Sequence, residues 1–376
     1  MDDADFLIVG GGVYGTALAY EIVSTGSSVT LVEADRLATR ASGGPGKRGV
    51  RANGRNSREL PLVHEALAQW PSLSELLGAE TGFERLGGLM LVDSAPEQGE
   101  IGWARAEAHQ RLQATFGLAS RLLARDDLAA LEPGVAPSAA GALFNPDEGI
   151  ADQRSTALAY AAAAGKLGAS IRESSPVLDI NPGSRPAVRL RDGTTLRARR
   201  AVVLATNHGT NALLERSAMP VLPLWTMAPQ VLMVQAKDDY QPRHLVGHLA
   251  KTLSVKPLSD GITMISGGMR GRWDPRTNTG RPVDASIGES LDVAASVFPA
   301  LAGGALMTAD AGSPETYTPD GLPYLDFLDA DRRIFVATGW HGHGFAIAPA
   351  VARHAADWLT SGRRPDVLAP FRIRLR

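Results

Sequence analysis

The chain has 376 residues, of which 44% are hydrophobic and 21% are charged, and its formal net charge is −2. This composition is typical of a soluble globular protein, and the nearly neutral charge gives no electrostatic basis for binding nucleic acid or an anionic membrane. The chain contains no cysteine, which excludes disulfides, thiolate metal ligands, iron–sulfur clusters and a cysteinyl bond to a cofactor.

The N-terminal segment predicts a strand, a glycine-rich turn, a helix and a second strand. An apolar run from Phe6 to Val9 precedes a G-x-G-x-x-G pattern, and a second apolar run ends at Glu33. This context favours a dinucleotide site, in which the glycines admit a pyrophosphate at the helix N-terminus and the acidic residue binds ribose hydroxyls. The predicted contacts in this segment are Gly10, Gly12, Val13, Tyr14, Gly15, Glu33 and Ala34.

The middle of the chain alternates between helical and strand patterns. Residues 40–58 are rich in glycine and arginine and lack periodicity, which predicts an irregular functional loop. A helix with Leu60, Val63, Leu67 and Trp70 on its apolar face follows. The later predictions are a strand at 88–92, helices at 97–116 and 155–167, an antiparallel meander at 177–180, 187–190 and 195–197, and a buried strand at 201–205.

The last third of the chain predicts a strand-rich region followed by a return to the first fold. Residues 221–255 and 262–265 favour strands, and residues 270–281 favour a polar loop. A buried strand at 334–337 enters a second glycine-rich turn, which opens a final helix at 345–359. Because segments typical of dinucleotide-binding folds lie at both ends and in the middle, we expect a sheet-rich domain inserted in pieces between them.

Three motifs together resemble a known family. They are the N-terminal fingerprint, the run Ala201-Val-Val-Leu-Ala-Thr206, and Tyr317-Thr-Pro-Asp-Gly-Leu-Pro with Ala337-Thr-Gly-Trp-His-Gly-His-Gly-Phe-Ala-Ile-Ala-Pro349. The chain resembles the FAD-dependent amine and amino-acid oxidases, the superfamily of D-amino-acid oxidase, glycine oxidase and monomeric sarcosine oxidase. The resemblance implies an α/β (α+β) fold, with a Rossmann-like FAD-binding domain at 1–84, 146–218 and 316–376 and a discontinuous, sheet-rich substrate domain at 85–145 and 219–315.

The resemblance also implies one FAD, which we expect to be held non-covalently as in glycine oxidase. The turn at 342–345 would direct backbone N–H groups and a helix dipole at N1 and C2=O of the flavin, where negative charge accumulates on reduction. Beyond the fingerprint, the implied FAD contacts are Arg40, Ala41, Ser42, Lys47, Arg48, Val177, Ala205, Thr206, Gly209, Gly342, His343, Gly344, Phe345 and Ala346.

The segment Arg48-Gly-Val-Arg51 resembles the sarcosine-oxidase branch of the family. Carried over, Arg48 would lie beside the flavin and Arg51 would bind the substrate carboxylate, a role that suits a planar guanidinium. The alternative is that both are solvated loop residues. The further substrate-site candidates are Tyr317, which is otherwise a core residue, Arg270, which is otherwise a solvated loop residue, and Lys256.

The chain departs from the sarcosine-oxidase branch at two lysines. Ala346 stands where that branch has a lysine after the last Gly-Phe, and Thr263 stands where it has an oxygen-activating lysine. Lys256 could substitute sterically for the second. These differences argue against sarcosine as the substrate and against fast oxygen reactivity, and the second of them favours a dehydrogenase over an oxidase.

The leading hypothesis is an FAD enzyme that oxidises a glycine-type or N-substituted amino acid, for example an N-carboxymethyl amino acid, with O2 as acceptor. The alternatives are a dehydrogenase that uses a quinone or carrier acceptor, and a non-catalytic flavin-binding subunit.

Two histidines, His341 and His343, are too few ligands for a closed metal site, so no metal is expected. His244 and His248 are predicted to lie on the surface. With five residues before the first strand, we expect no signal peptide, no membrane insertion, a cytoplasmic location, no nucleic-acid partner and a monomer or weak oligomer.

Overall fold

The computed structural model of the chain describes residues 3–93 and 96–373, and only the backbone of residues 96–99. Residues 1–2 and 374–376 of the predicted FAD-binding domain, and residues 94–95 of the predicted substrate domain, lie outside the described residues. Within the described ranges, no helix has both the length and the apolar character that crossing a bilayer requires.

Helices and strands alternate along the chain. The helices are α1 (Val13–Ser24), α2 (Leu60–Gln69), α3 (Leu73–Leu77), α4 (Pro96–Thr115), α5 (Arg125–Leu131), α6 (Gln153–Lys166), α7 (Thr210–Arg216), α8 (Asp284–Val297) and α9 (Gly344–Ser361). The strands are β1 (Ala4–Val9), β2 (Val29–Val32), β3 (Lys47–Val50), β4 (Glu84–Arg85), β5 (Gly88–Asp93), β6 (Arg121–Ala124), β7 (Ala139–Asn145), β8 (Gly149–Asp152), β9 (Ser170–Arg172), β10 (Val177–Asn181), β11 (Ala187–Leu190), β12 (Thr195–Leu204), β13 (Trp225–Met227), β14 (Val231–Gln235), β15 (Leu245–His248), β16 (Ser254–Pro257), β17 (Ile262–Ser266), β18 (Arg272–Asp274), β19 (Thr279–Arg281), β20 (Ala305–Asp310), β21 (Glu315–Tyr317), β22 (Tyr324–Phe327) and β23 (Ile334–Thr338).

The first large sheet has a parallel centre, in the order β9, β2, β1, β12 and β23. The second half of β12 pairs with β1, and its first half forms an antiparallel meander with β10 and β11. Helices α1, α6 and α9 pack together over one face of this sheet. The expected Rossmann-like α/β (α+β) fold is confirmed, and the domain boundaries stay a prediction.

The second large sheet has the order β20, β14, β17, β16, β15, β5, β7 and β6. Since side chains alternate along a strand, each strand presents one set of residues to each face. Val255 and Ile265 pack into the apolar cluster that includes residues of α8. On the opposite face, Lys256 pairs with Met264 across neighbouring strands, and Ser266 follows on the same side. Lys256, Met264 and Ser266 of this second face line a cavity together with residues at the ends of β1 and β2.

Two segments predicted to be irregular contain strands. Residues 47–50 form β3, which pairs antiparallel with β8, and residues 270–281 contain the hairpin of β18 and β19. The predictions were wrong here because these strands are short and carry no apolar alternation, so only their pairing partners define them. The two strands predicted at 195–197 and 201–205 are a single strand, β12.

The prediction that His244 and His248 lie on the surface was also wrong. Each is only 8% exposed, and each ring faces a buried carboxylate. His244 Nδ1 lies 3.0 Å from Glu132 Oε2, and His248 Nε2 lies 3.2 Å from Asp93 Oδ1. These two histidines are buried because their hydrogen-bonding partners are buried with them, which a sequence pattern does not show.

Candidate active site

A cavity of about 740 Å³ lies where the carboxyl ends of β1, β2 and β12 meet the polar face of the second sheet. Its volume is within the range of small-molecule sites, and its place at the carboxyl ends of parallel strands is the usual one for ligands of such sheets. The predicted site residues that line it are Gly10, Gly12, Val13, Tyr14, Glu33, Ala34, Arg40, Ala41, Ser42, Arg48, Arg51, Val177, Ala205, Thr206, Gly209, Lys256, Arg270, Tyr317, Gly342, His343, Gly344 and Phe345.

Three glycines of the first turn are required for different steric reasons. Gly10 has φ +110°, and a Cβ there would lie 2.6 Å from the carbonyl oxygen of Ala205. A Cβ on Gly15 would lie 1.8 Å from the carbonyl oxygen of Gly10, so α1 packs against β1 only without a side chain. A Cβ on Gly12 would meet no atom within 4 Å, and it borders the cavity. The backbone at the start of α1 is therefore open to a ligand, with unpaired N–H groups facing it.

Glu33 stabilises this turn as well as lining the cavity. One carboxylate oxygen accepts the N–H of Gly11 at 2.6 Å, and the other accepts the N–H of Asp35 at 2.9 Å. A carboxylate has about four acceptor sites, so both oxygens can still accept hydrogen bonds from ligand hydroxyls. Glu33 therefore fixes the shape of the glycine turn and offers the acceptors that a ribose needs.

Three side-chain donors hold the start of α9. The Tyr14 hydroxyl donates to the Gly344 carbonyl at 2.6 Å, and Trp70 Nε1 donates to the Ala346 carbonyl at 2.8 Å. Arg55 Nη1 donates to the His343 carbonyl at 2.6 Å. Burial, together with the positive charges of Arg55 and Arg51, holds the pKa of His343 well below its ordinary value, so this imidazole is neutral at neutral pH. These three hydrogen bonds hold the N-terminus of α9 at the cavity wall.

Arg48 is turned back onto the loop that precedes it. Its Nε donates to Gln153 Oε1 at 2.8 Å, and its other nitrogens donate to backbone carbonyls of residues 42–46. The guanidinium organises this loop and places a positive charge at the cavity wall. A role as flavin neighbour stays a prediction, with most of its hydrogen-bonding capacity already used.

The side chains of Arg51 and Lys256 both line the cavity. Among the described residues, the Arg51 guanidinium donates no hydrogen bond and forms no ion pair, and Glu148 is the carboxylate that acts on its charge. Glu148 itself accepts the N–H groups of Ala52 and Asn53 at 2.8 and 2.7 Å. Lys256 is 3% exposed and donates to Ser266 Oγ at 2.9 Å. Arg51 is half-buried and lines the cavity, and a guanidinium in such a place without a partner is suited to binding an anion.

The positive charges around Lys256 also control its protonation. Burial first, and then the charges of Arg48 and Arg51, hold the pKa of Lys256 well below its ordinary value. An anion bound beside these groups would reverse this effect, because an opposite charge favours the protonated amine. Lys256 is thus coupled to the charge of whatever occupies the cavity.

Arg270 and Tyr317 meet at another part of the cavity wall. Arg270 Nη1 donates to the Tyr317 hydroxyl at 2.7 Å, and its guanidinium lies 4.8 Å from the centre of the Tyr317 ring. The outer face of that ring stacks on Trp225, which is 46% exposed. The pair lies near the protein surface, in contrast to the buried Lys256.

Three predicted cofactor contacts do not line the cavity. Gly15 lies behind the turn, Lys47 pairs with Glu84, and Ala346 is buried with its carbonyl accepting a hydrogen bond from Trp70.

The sequence did not predict Arg55 and Glu315, which both line the cavity. Arg55 belongs to the same glycine- and arginine-rich segment as Arg51, so it carried a usable signal. Glu315 lies two residues before the C-terminal motif, which begins at Tyr317, and nothing in the pattern marked it.

The cavity fits a dinucleotide that carries a flavin. The unobstructed backbone at Gly12 suits a pyrophosphate, Glu33 suits a ribose, and the N–H groups at the start of α9 suit an electron-rich ring edge. In the part of the chain that the structure describes, no group of three or more His, Asp or Glu side chains could hold a metal ion. His341 Nε2 accepts the N–H of Thr318 at 2.9 Å instead.

Comparison with known proteins gives matches along the whole chain. A family model described as FAD dependent oxidoreductase matches residues 5–358. A glycine oxidase of Geobacillus kaustophilus is 27% identical over 98% of this chain and 96% of that protein. A crystal structure of glycine oxidase from the same species superposes with a TM-score of 0.85 at 25% identity and covers 100% of both chains. A 4-methylaminobutanoate oxidase (formaldehyde-forming) of Paenarthrobacter nicotinovorans is 26% identical over 95% of this chain, which spans 43% of that protein.

Substitutions at two glycines of the first turn distinguish an effect on helix packing from an effect on ligand binding. We expect Gly12→Ala to fold with the thermal stability of the ligand-free parent but to bind added FAD at least about tenfold more weakly, since its methyl group enters the cavity. Gly15→Ala should lower the melting temperature of the ligand-free protein, because its methyl group collides with backbone. Thermal unfolding and FAD titration measure both effects. Unchanged FAD affinity in Gly12→Ala would place the pyrophosphate elsewhere.

Proposed function

The chain belongs to the FAD dependent oxidoreductase family, and from that premise we propose that it oxidises the C–N bond of a glycine-type or N-substituted amino acid. The product would be an imine, which water hydrolyses; from a glycine unit this yields glyoxylate and an amine. Oxygen would accept the electrons and leave as hydrogen peroxide. The observation that carries the proposal is the guanidinium of Arg51, which has no hydrogen-bonding partner among the described residues and lies in a cavity shaped for a flavin.

The proposed FAD site runs along the whole cavity. Gly12 and the start of α1 would bind the pyrophosphate, and Glu33 the adenosine ribose. Gly342 and the first turn of α9 would lie against the flavin ring, which accepts two electrons and a proton equivalent from the substrate when it is bound. The tight contacts of Tyr14 and Trp70 to α9 hold that edge in place before the cofactor arrives. Preorganised N–H groups of this kind cost no rearrangement during the reaction.

The proposed substrate site is the part of the cavity that Arg51 and Lys256 line. Arg51 would bind the substrate carboxylate through paired hydrogen bonds, and Lys256 would add a donor from the neighbouring sheet. Met264 lies beside Lys256 and supplies an adaptable apolar wall. These groups fix the substrate while its Cα–H bond is directed at the cofactor, so positioning and exclusion of water do most of the work. The proposal therefore includes no side chain as general base.

The names of the relatives agree with this substrate class. One relative is a glycine oxidase and another a 4-methylaminobutanoate oxidase, so a primary and a secondary amine that each carry a carboxylate are represented. Arg51 binds only the carboxylate in this proposal, and the wall around it is partly apolar. The site would therefore accept a primary or a secondary amine. We place N-carboxymethyl amino acids within the same class, because they present a glycine unit with a substituent on nitrogen.

Lys256 also bears on the choice between oxidase and dehydrogenase. Thr263 is fully buried and lies on the strand position before Met264, so it faces away from the cavity. Lys256, on the adjacent strand, brings the amino group into the cavity instead. A protonated amine there would stabilise negative charge that develops on oxygen as it is reduced. This arrangement favours the oxidase over the dehydrogenase that uses a quinone or carrier.

We expect Arg51→Ala to raise the apparent KM for carboxylate-bearing amines about 10- to 100-fold, since losing a hydrogen bond to a charged group costs about 1.5–3 kcal/mol. Arg51→Lys should give an intermediate value, because the charge remains but the paired geometry is lost. Arg58→Ala is the matched control, since Arg58 belongs to the same segment but bonds to Asn56 outside the cavity. Steady-state kinetics with matched flavin content measures the effect. An unchanged KM in Arg51→Ala would move the clamp to Lys256 or Arg270.

Stopped-flow reoxidation of the reduced protein by air separates the two enzyme classes. We expect fast reoxidation in the parent and a decrease on the order of 10-fold or more in Lys256→Met, which keeps the bulk and removes the charge. Slow reoxidation of the parent, together with rapid electron transfer to a quinone, would establish the dehydrogenase. Protein that binds FAD but is bleached by no amine would be a non-catalytic flavin subunit.

A further inference from the structure

Glu315 is a buried carboxylate at the cavity wall for which the proposed chemistry has no use. It is 4% exposed, it lies on β21, and it borders the cavity together with Gly342. Its Oε1 accepts Asn207 Nδ2 and the Thr316 N–H, each at 2.7 Å, and its Oε2 accepts the Gly342 N–H at 3.0 Å. A side chain with this many fixed contacts holds one position.

All the direct partners of Glu315 are neutral. Among the described residues, Glu315 forms no ion pair, and Arg48 acts on its charge from a longer distance. Burial raises the pKa of Glu315 above its ordinary value, while the three donated hydrogen bonds and the charge of Arg48 lower it and so favour the ionised carboxylate. Asn207 is fixed in turn, since its Nδ2 also lies 2.6 Å from Ser42 Oγ and its Oδ1 accepts the Thr316 hydroxyl. The network thus keeps a negative charge in the same cavity wall as the guanidinium groups of Arg48, Arg51 and Arg55.

The third partner connects this charge to α9. Gly342 has φ +71° and lies two residues before the helix begins, so its N–H would be free to turn toward a ligand. In the structure that N–H is committed to Glu315, which leaves the N–H groups of Gly344 and its successors to face the cavity. By accepting the Gly342 N–H, Glu315 determines which N–H groups of the turn remain able to bind a ligand.

We propose that Glu315 is a positioning residue that orients the turn before α9 against the flavin ring and lowers the reduction potential of the bound FAD. The inference rests on the proposed placement of the ring beside this turn. A flavin gains negative charge on its pyrimidine edge when it is reduced, and a fixed carboxylate near that edge makes the gain less favourable. The charge of Glu315 thus opposes the charges of Arg48 and Arg51, and the potential of the bound FAD depends on the balance between them.

The test is the midpoint potential of protein-bound FAD, measured by reduction against a reference dye in the absence of substrate. We expect Glu315→Gln to raise the potential by about 30 mV or more, which is a tenfold shift in the equilibrium of a two-electron couple. Glu315→Asp keeps the charge but withdraws it from Gly342, so the potential should stay nearer to that of the parent while FAD binds more weakly. Glu132→Gln is the matched control, because Glu132 is 1% exposed, bonds to His244 and lies away from the cavity.

Each result bears on the inference. A raised potential in Glu315→Gln, with no change in Glu132→Gln, supports it. A parental potential in a Glu315→Gln protein that binds FAD overturns it. Should Glu315→Gln fail to retain FAD, the aspartate variant decides: a potential close to the parent with weakened FAD binding supports the inference, and unaltered FAD binding overturns it. Because the measurement uses no amine, it stands even where the proposed substrate class proves wrong.

Discussion

Two helices begin at the wall of the same cavity, α1 after Gly12 and α9 at Gly344, and both point unpaired N–H groups into it. The strands that precede them, β1 and β23, run parallel on either side of β12 in one sheet, so their carboxyl ends place both helix starts on one edge. The N–H groups at this edge can bind a ligand only if the backbone approaches it closely. Glycines at both turns permit that approach, because they have no side chain. The second sheet then closes the cavity with a polar face, and the family's cofactor is a molecule long enough to contact both helix starts.

The charges around the cavity divide into those with partners and those without. Arg48 and Arg55 donate to backbone carbonyls, and they support the loop and the helix that form the wall. Arg51 lacks such a partner among the described residues, and Lys256 donates only to a serine hydroxyl. Glu315 lies opposite them with neutral donors. The first group supports the structure, and Arg51 with Lys256 is where we propose that a substrate anion binds.

The sequence was informative where a local pattern has one physical cause. The fingerprint glycines, the buried strand at 201–205 and the final helix follow from backbone sterics and apolar periodicity, and the FAD family they indicated is confirmed. The short strand β3 and the buried pair of His244 and Glu132 depend on partners far along the chain, so no local pattern predicted them. Glu315 escaped notice for the same reason, because its role comes from Asn207 and Gly342. The predicted roles of Arg51, Tyr317 and Arg270 remain proposals.

The central claim is that a carboxylate on the amine substrate binds the free guanidinium in the cavity. Anaerobic titration of the FAD-containing protein with pairs of amines tests it most directly, each pair consisting of an amino acid and the same amine without its carboxylate, starting from glycine, sarcosine, N-carboxymethyl amino acids and D-amino acids. The account predicts that the carboxylate-bearing member of at least one pair bleaches the visible flavin absorbance and that its partner does not. Equal bleaching by both members of every reactive pair would contradict it.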